Sequence, residues 1–125
     1  MNMSIAKGAN LLLMFVLELA VLATAAAWGY SLDAPPIVRI LAAVAATAVF
    51  IVVWKLFGAA RDARYKLTGL SRAALEVLWF GGGAVLLGFT WSPTAGVVLF
   101  ALWVINGVLR VLWDQVDTVA AVHKR

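Results

Sequence analysis

Two glutamates lie inside long apolar stretches of this chain. Glu18 belongs to "NLLLMFVLELAVLATAAAWGY" (residues 10–30), and Glu76 belongs to "LSRAALEVLWFGGGAVLLGF" (residues 70–89). A carboxyl group in such a place can bind a proton or a cation, or pair with a buried base. A lone charge at the centre of a membrane helix costs about 2.5–3.5 kcal/mol. Glu18 and Glu76 are therefore the first candidate residues for proton or cation binding.

Arg110 and Asn106 are predicted to lie at a similar depth. At a rise of ~1.5 Å per residue, Glu18 is about 12 Å and Glu76 about 9 Å from the inner ends of their segments. Arg110 is about 24 Å along a segment that enters from the opposite side. Asn106 precedes Arg110 by one helical turn on the same face. We expect these four residues to form one buried layer, with Arg110 as the charge partner.

The sequence is compatible with more than one function for this polar layer. One arginine neutralises one carboxylate, so the second glutamate would be protonated or in contact with water, which is a physical basis for proton coupling. The same cluster could instead only fix the register of the helices and satisfy hydrogen bonds. Arg110 could also extend to the membrane surface and leave both acids without their cation.

The composition indicates a membrane protein. The chain has 125 residues, of which 65% are hydrophobic and 13% charged, and its mean hydropathy is +1.00. Soluble domains carry about a quarter charged residues. We therefore expect a single transmembrane domain over residues 1–125. The chain lacks cysteine and its one histidine is His123, so we expect no metal site and no cofactor. No convincing nucleophile–base pair supports an enzyme.

Four segments are long enough to cross a bilayer, since about 20 helical residues span its ~30 Å hydrocarbon core. The fold class is therefore predicted to be an all-α, polytopic four-helix protein. Glu18 interrupts the first apolar run, so we expect that segment to be a retained span rather than a cleaved signal peptide. The predicted spans are residues 10–30, 37–57, 70–89 and 94–113.

The distribution of cations predicts the orientation. Eight cations fall on one side of the predicted spans: Lys7, Lys55, Arg61, Arg64, Lys66, Arg72, Lys124 and Arg125. Only Arg39 falls on the other side. By the positive-inside rule both termini are cytoplasmic. Trp28 and Trp91 are expected to anchor the outer interface, and Trp54 and Trp113 the inner one. The cations are therefore a topology signal, and we expect no nucleic-acid partner.

The two halves of the chain resemble each other. "LELAVL" at residues 17–22 and "LEVLWF" at residues 75–80 are each followed by small residues, "ATAAA" and "GGGA". This pattern predicts two helical hairpins in the same orientation, as parallel repeats. Glu18 and Glu76 would then occupy equivalent positions. The small residues are expected to let helix backbones approach closely in lipid.

The layout resembles the YrdB-like family of small four-span bacterial membrane proteins. The matching residues are Leu17-Glu18-Leu19, Trp54 with Phe57 and Arg61, and Leu75-Glu76. The family tends to carry a proline before the basic residue that follows its second span, whereas this chain reads "GAARDAR". The resemblance implies a multi-pass location in the bacterial inner membrane and an importance of both glutamates. It implies no activity, because none is established for the family.

Three functional hypotheses follow. The first is a proton-coupled transporter or channel for a small cationic solute, formed as a homodimer because four spans enclose little space. The second is an accessory or assembly subunit of a larger membrane complex, in which the Glu/Arg layer is purely structural. An enzyme acting on lipid ranks last. All three place the protein in the lipid bilayer.

Overall fold

A computed structural model describes residues 3–58 and 69–113 of the chain. Within these residues it contains four helices and no strand: α1 (Met3–Tyr30), α2 (Pro36–Phe57), α3 (Gly69–Thr90) and α4 (Pro93–Leu112). Each helix is long and apolar enough to cross a membrane. The predicted all-α, four-span architecture is confirmed, and α1 begins before the predicted first span. Several of the residues discussed above lie outside the described part of the chain: Arg61, Arg64, Lys66, His123, Lys124 and Arg125.

Prolines and a serine fix the starts of two helices. Pro36 occupies the first turn of α2, where its missing N–H would have no partner in any case. Pro93 has the same place in α4, and Ser92 caps this helix by accepting a hydrogen bond from the backbone N–H of Ala95 at 3.0 Å. Because of these residues, each helix begins only a few residues after the preceding helix of its hairpin ends.

Helix α1 is the central element, because it packs against all three other helices. Its buried residues Met14, Leu17 and Val21 form the core with Phe80 of α3 and Leu99 of α4. Helix α2 packs mainly on α1 and has Trp54 as its one fully buried residue. The core is therefore built mainly by α1, α3 and α4, and α2 contributes Trp54 to it while the rest of α2 lies on the outside of α1.

The contacts along the helices show that the two hairpins run in the same direction. Gly29, near the end of α1, lies against Ala42 and Ala43 in the first half of α2. Gly96, near the start of α4, lies against Gly88 near the end of α3. Asn10, near the start of α1, is hydrogen-bonded to Asn106, near the end of α4. Consecutive helices are therefore antiparallel, and α1 is parallel to α3. The cytoplasmic location of the termini remains a prediction from the cations.

A broad apolar surface surrounds this core, as expected for a multi-pass protein in contact with a lipid bilayer. On α2 alone, the exposed large apolar residues are Ile37, Val38, Ile40, Leu41, Val44, Val49, Ile51 and Val52. The cation Arg39 lies among them at the start of α2. Its Nε donates to the Tyr30 carbonyl at 2.7 Å, and its guanidinium lies 4.0 Å from the centre of the Tyr30 ring.

Gly96 provides a test of the packing between α3 and α4. A Cβ atom at this position would lie 2.5 Å from the Ala84 carbonyl oxygen, whereas one at Gly82 would meet only the Phe50 ring edge at 3.7 Å. We expect Gly96→Ala to lower the free energy of unfolding by about 1–3 kcal/mol through overpacking. Gly82→Ala is the matched control and should be neutral or slightly stabilising. Equal stability of both variants in detergent, measured by reversible unfolding, would contradict this packing.

Candidate functional site

The carboxylate of Glu76 is the centre of a buried polar network. Glu76 is only 3% exposed. Its Oε2 accepts hydrogen bonds from Arg72 Nε at 2.7 Å and Arg110 Nη1 at 3.0 Å. Its Oε1 accepts from Trp103 Nε1 at 2.9 Å and from Arg110 Nη2. Four donors therefore occupy the roughly four acceptor sites of one carboxylate.

Arg110 connects this carboxylate to the rest of α4. Its two terminal nitrogens bind Glu76 in a bidentate pair, and its Nε donates to Asn106 Oδ1 at 2.7 Å. Trp103, Asn106 and Arg110 are spaced by three and four residues, so one face of α4 presents all three. The structure thus brings Glu76, Arg110 and Asn106 together, and Arg110 does not extend to the surface.

Asn106 extends the network to α1. Its Nδ2 donates to Asn10 at both the backbone carbonyl (2.7 Å) and Oδ1 (3.0 Å), and Asn10 Nδ2 donates to the Asn106 carbonyl at 3.3 Å. Both asparagines are buried. Sequence reasoning missed Asn10, which stands at the edge of the first apolar run. The sequence signal for a buried position is an amide side chain at the edge of an apolar run.

Arg72 is the second residue that sequence reasoning placed differently. The cation pattern predicts a position at the inner surface for Arg72, yet Arg72 is 2% exposed and pairs with Glu76 four residues later. Its Nη1 donates to the Gly58 carbonyl at the end of α2, and its guanidinium lies 4.9 Å from the Trp54 ring centre. The expected ratio of one arginine to two glutamates is therefore corrected to two of each.

Glu18 has a different environment from Glu76. It is half-buried, and the charged side chains that interact with it electrostatically are Arg72, Glu76 and Arg110. The Trp54 indole N–H is near the Glu18 carboxyl group but does not meet hydrogen-bond geometry. Among the described residues, Trp54 Nε1 and Arg72 Nη2 are buried donors without a hydrogen-bond partner. Glu18 thus borders the network without the full set of partners that Glu76 has.

The four tryptophans expected at the interfaces occupy different surroundings. Trp91 is 78% exposed between α3 and α4, and Trp28 and Trp113 are half-buried near helix ends. Trp54 is buried and stacks on Trp79, with ring centres 4.4 Å apart. Trp54 therefore joins α2 to α3 inside the protein.

The arrangement limits what each acid can do. Glu76 cannot accept a further cation unless it releases an arginine, because its acceptor sites are occupied. Glu18 retains unused acceptor capacity and partial exposure. The described residues contain no group of histidine, cysteine, aspartate and glutamate side chains that could hold a metal ion. The two predicted proton- or cation-binding residues are thus chemically distinct.

Replacing each glutamate by glutamine tests this difference. Glu76→Gln removes the negative charge and leaves two buried arginines without it, so we expect a loss of about 3–5 kcal/mol in the free energy of unfolding. Glu18→Gln should cost about 1 kcal/mol or less, because no hydrogen bond in good geometry is lost. The measurement is reversible unfolding in mixed micelles. Equal losses for the two variants would show that Glu18 is as tightly paired as Glu76.

Comparison with known proteins supplies the family. No curated protein and no solved structure matches the chain. Residues 12–104 match the family model described as "Protein of unknown function (DUF2568)". This match covers the described helices from the first part of α1 to the middle of α4, including both glutamates and Arg72, and it ends just before Asn106 and Arg110. The chain therefore belongs to the DUF2568 family, whose function is unknown.

Proposed function

We propose that this small membrane protein exchanges protons for a small cationic solute, with Glu18 as the binding carboxylate. The observation that carries the proposal is the contrast between the two acids. Glu76 has four hydrogen-bond donors, whereas Glu18 is half-buried and has none in good geometry among the described residues. Of the two carboxylates, Glu18 is the one that can accept a proton or a cation without dismantling the fold.

The coupling would follow from the chemistry of a single carboxylate. A protonated Glu18 has no charge to offer a cation, and a cation bound to Glu18 opposes protonation, so the two ligands compete. Arg72 and Arg110 would limit the affinity for the solute, since each repels a cation near Glu18. Moderate affinity suits transport, because a bound solute must also leave.

In this proposal Glu76 has a supporting role. Its pairing with Arg72 and Arg110 neutralises one of the two arginine charges and holds α3 against α4. Glu18 then faces a net charge of about +1 from that cluster. A homodimer would supply the second wall of a pathway that four helices do not enclose alone. The resemblance to YrdB-like proteins supports a location in the bacterial inner membrane.

A second candidate is an accessory subunit of a larger membrane complex. The polar network supports it, because hydrogen bonds from Asn10 to Gly58 tie all four helices together. Helix α2 also leaves most of its apolar surface uncovered by the rest of the chain. In this case the network is structural and a partner would copurify with the protein.

Electrophysiology on a solid-supported membrane distinguishes the two candidates. Proteoliposomes containing the wild-type protein would be exposed to a panel of small organic cations under a proton gradient. In the proposed homodimer two Glu18 carboxylates release two protons for each monovalent cation, so the exchange moves net charge. We therefore expect a solute-dependent current that Glu18→Gln abolishes. Asp33→Asn is the matched control, because it makes the same change in an exposed acid of the loop between α1 and α2, and it should retain the current.

The result is interpretable only for folded protein, so each variant would first be checked by size-exclusion chromatography and circular dichroism. An unchanged current in folded Glu18→Gln would refute the role of Glu18. Absence of current from the wild-type protein across the panel would reject proton-coupled exchange of those solutes. Copurification of a stoichiometric membrane partner would then favour the accessory role.

A further inference from the structure

Two buried side-chain donors near Glu18 have no hydrogen-bond partner among the described residues. They are the indole Nε1 of Trp54 and the Nη2 of Arg72. Buried donors in proteins are nearly always satisfied, so each exception calls for a physical explanation. The Trp54 N–H lies near the Glu18 carboxyl group, and Arg72 interacts with that group electrostatically. Two donors without an acceptor therefore lie beside a carboxyl group that has unused acceptor sites.

Packing holds both donors in place. The Trp54 ring stacks on Trp79 and meets Phe80 edge-on, with 5.6 Å between the centres of the latter two rings. The Nη1 of Arg72 donates to the Gly58 carbonyl, and the guanidinium lies 4.9 Å from the centre of the Trp54 ring. A Cβ atom at Gly58 would clash with the Trp54 ring, so this glycine is what allows the ring its position. A change of pairing therefore has to come from the carboxyl side chain.

The charges of the cluster favour a pairing between Glu18 and Arg72. Arg110 binds Glu76 through both of its terminal nitrogens, so this pair is neutral by itself. Arg72 adds a second positive charge, and Glu18 is the acid that can balance it. A charge without a partner is costly inside a membrane, whereas a hydrogen bond between a guanidinium and a carboxylate is among the strong ones. An ionised Glu18 is therefore most stable with Arg72 as its direct partner.

We propose that Glu18 has a closed state in which its carboxylate accepts hydrogen bonds from Trp54 Nε1 and Arg72 Nη2. A rotation about the side-chain torsions of Glu18 forms this state, and Glu76 keeps its bidentate pair with Arg110. The described arrangement, in which neither donor is satisfied, is the open state that can take a proton or a solute. The closed state gives an ionised Glu18 a counter-ion after a solute has left.

The closed state would compete with the transported solute, and this part of the inference rests on the proposed function. A solute binds only the molecules in the open state, so its apparent affinity is reduced in proportion to the open fraction. Removal of one hydrogen bond to a charged group shifts such a balance by about tenfold. Trp54 and Arg72 are therefore positioning residues that set the affinity of Glu18 for the solute.

Solution NMR of the protein in micelles tests the closed state without any solute. The indole N–H signals of Trp54 and Trp79 are assigned from the Trp54→Phe and Trp79→Phe variants. We expect Glu18→Met, which removes the acceptor at a similar volume, to move the Trp54 signal upfield. The Trp79 N–H donates to the Phe50 carbonyl at 3.0 Å, so its signal is the internal control and should stay in place. A Trp54 shift no larger than that of Trp79 would overturn the closed state.

Currents from proteoliposomes test the competition, with the organic cation of the panel that gives the largest wild-type current. Trp54→Phe keeps an aromatic ring against Trp79 but removes the N–H, so the half-saturating cation concentration should fall about tenfold. Trp79→Phe is the matched control, because it removes an indole N–H from the same ring stack that is bonded to the Phe50 carbonyl. It should leave the half-saturating concentration unchanged.

The two experiments separate the closed state from the proposed function. Equal half-saturating concentrations for Trp54→Phe and the wild-type protein would overturn the competition with the solute. The same decrease in Trp54→Phe and Trp79→Phe would overturn it too, because the effect would then come from the ring stack. An upfield Trp54 signal in Glu18→Met, together with no current from the wild-type protein, would support the closed state and reject the proposed exchange.

Discussion

The pairing of Glu76 with two arginines is the interaction on which the rest of the structure depends. Its carboxylate joins α3 to α4 through Arg110 and Trp103, and the bonds continue through Asn106 to α1. Arg72 carries the connection to the end of α2. Lipid tails offer no hydrogen bonds in exchange, so separating the helices would leave several charged and polar groups unsatisfied. The network therefore specifies which helix faces meet.

Close packing also holds the helices together, because the hydrophobic effect does not drive helices to associate within lipid. Glycines stand at three crossings: Gly29 between α1 and α2, Gly83 between α1 and α3, and Gly96 between α3 and α4. Each allows a backbone approach that a larger residue would block. Helices α2 and α3 are joined by Trp79, whose ring stacks on Trp54 and whose indole N–H donates to the Phe50 carbonyl at 3.0 Å. The hydrogen bonds therefore join the helices near one end of the bundle, and the glycine contacts join them nearer the other end.

The two glutamates show how similar local sequence acquires different chemistry. Both follow a leucine in the first half of a predicted span, and the hairpins that carry them run in the same direction. Helix α3 faces α4, which presents Trp103, Asn106 and Arg110 on one side, so Glu76 is fully paired. Helix α1 faces the aromatic end of α2, so Glu18 meets an indole instead of an arginine from that helix. This asymmetry underlies the assignment of different roles to the two acids.

The sequence by itself determined the four membrane helices and their turns, since apolar length, prolines and a serine cap act locally. It also indicated Glu18, Glu76, Arg110 and Asn106, because charged and amide side chains in apolar runs are conspicuous. Only the tertiary structure decided how they pair. Arg72 reads as a surface cation in the sequence, and its burial depends on contacts with Gly58 and Trp54 of another helix. Which side chains pair depends on how each helix is rotated about its axis and on which helices are neighbours. The hydrophobic pattern of a nearly all-apolar helix determines neither.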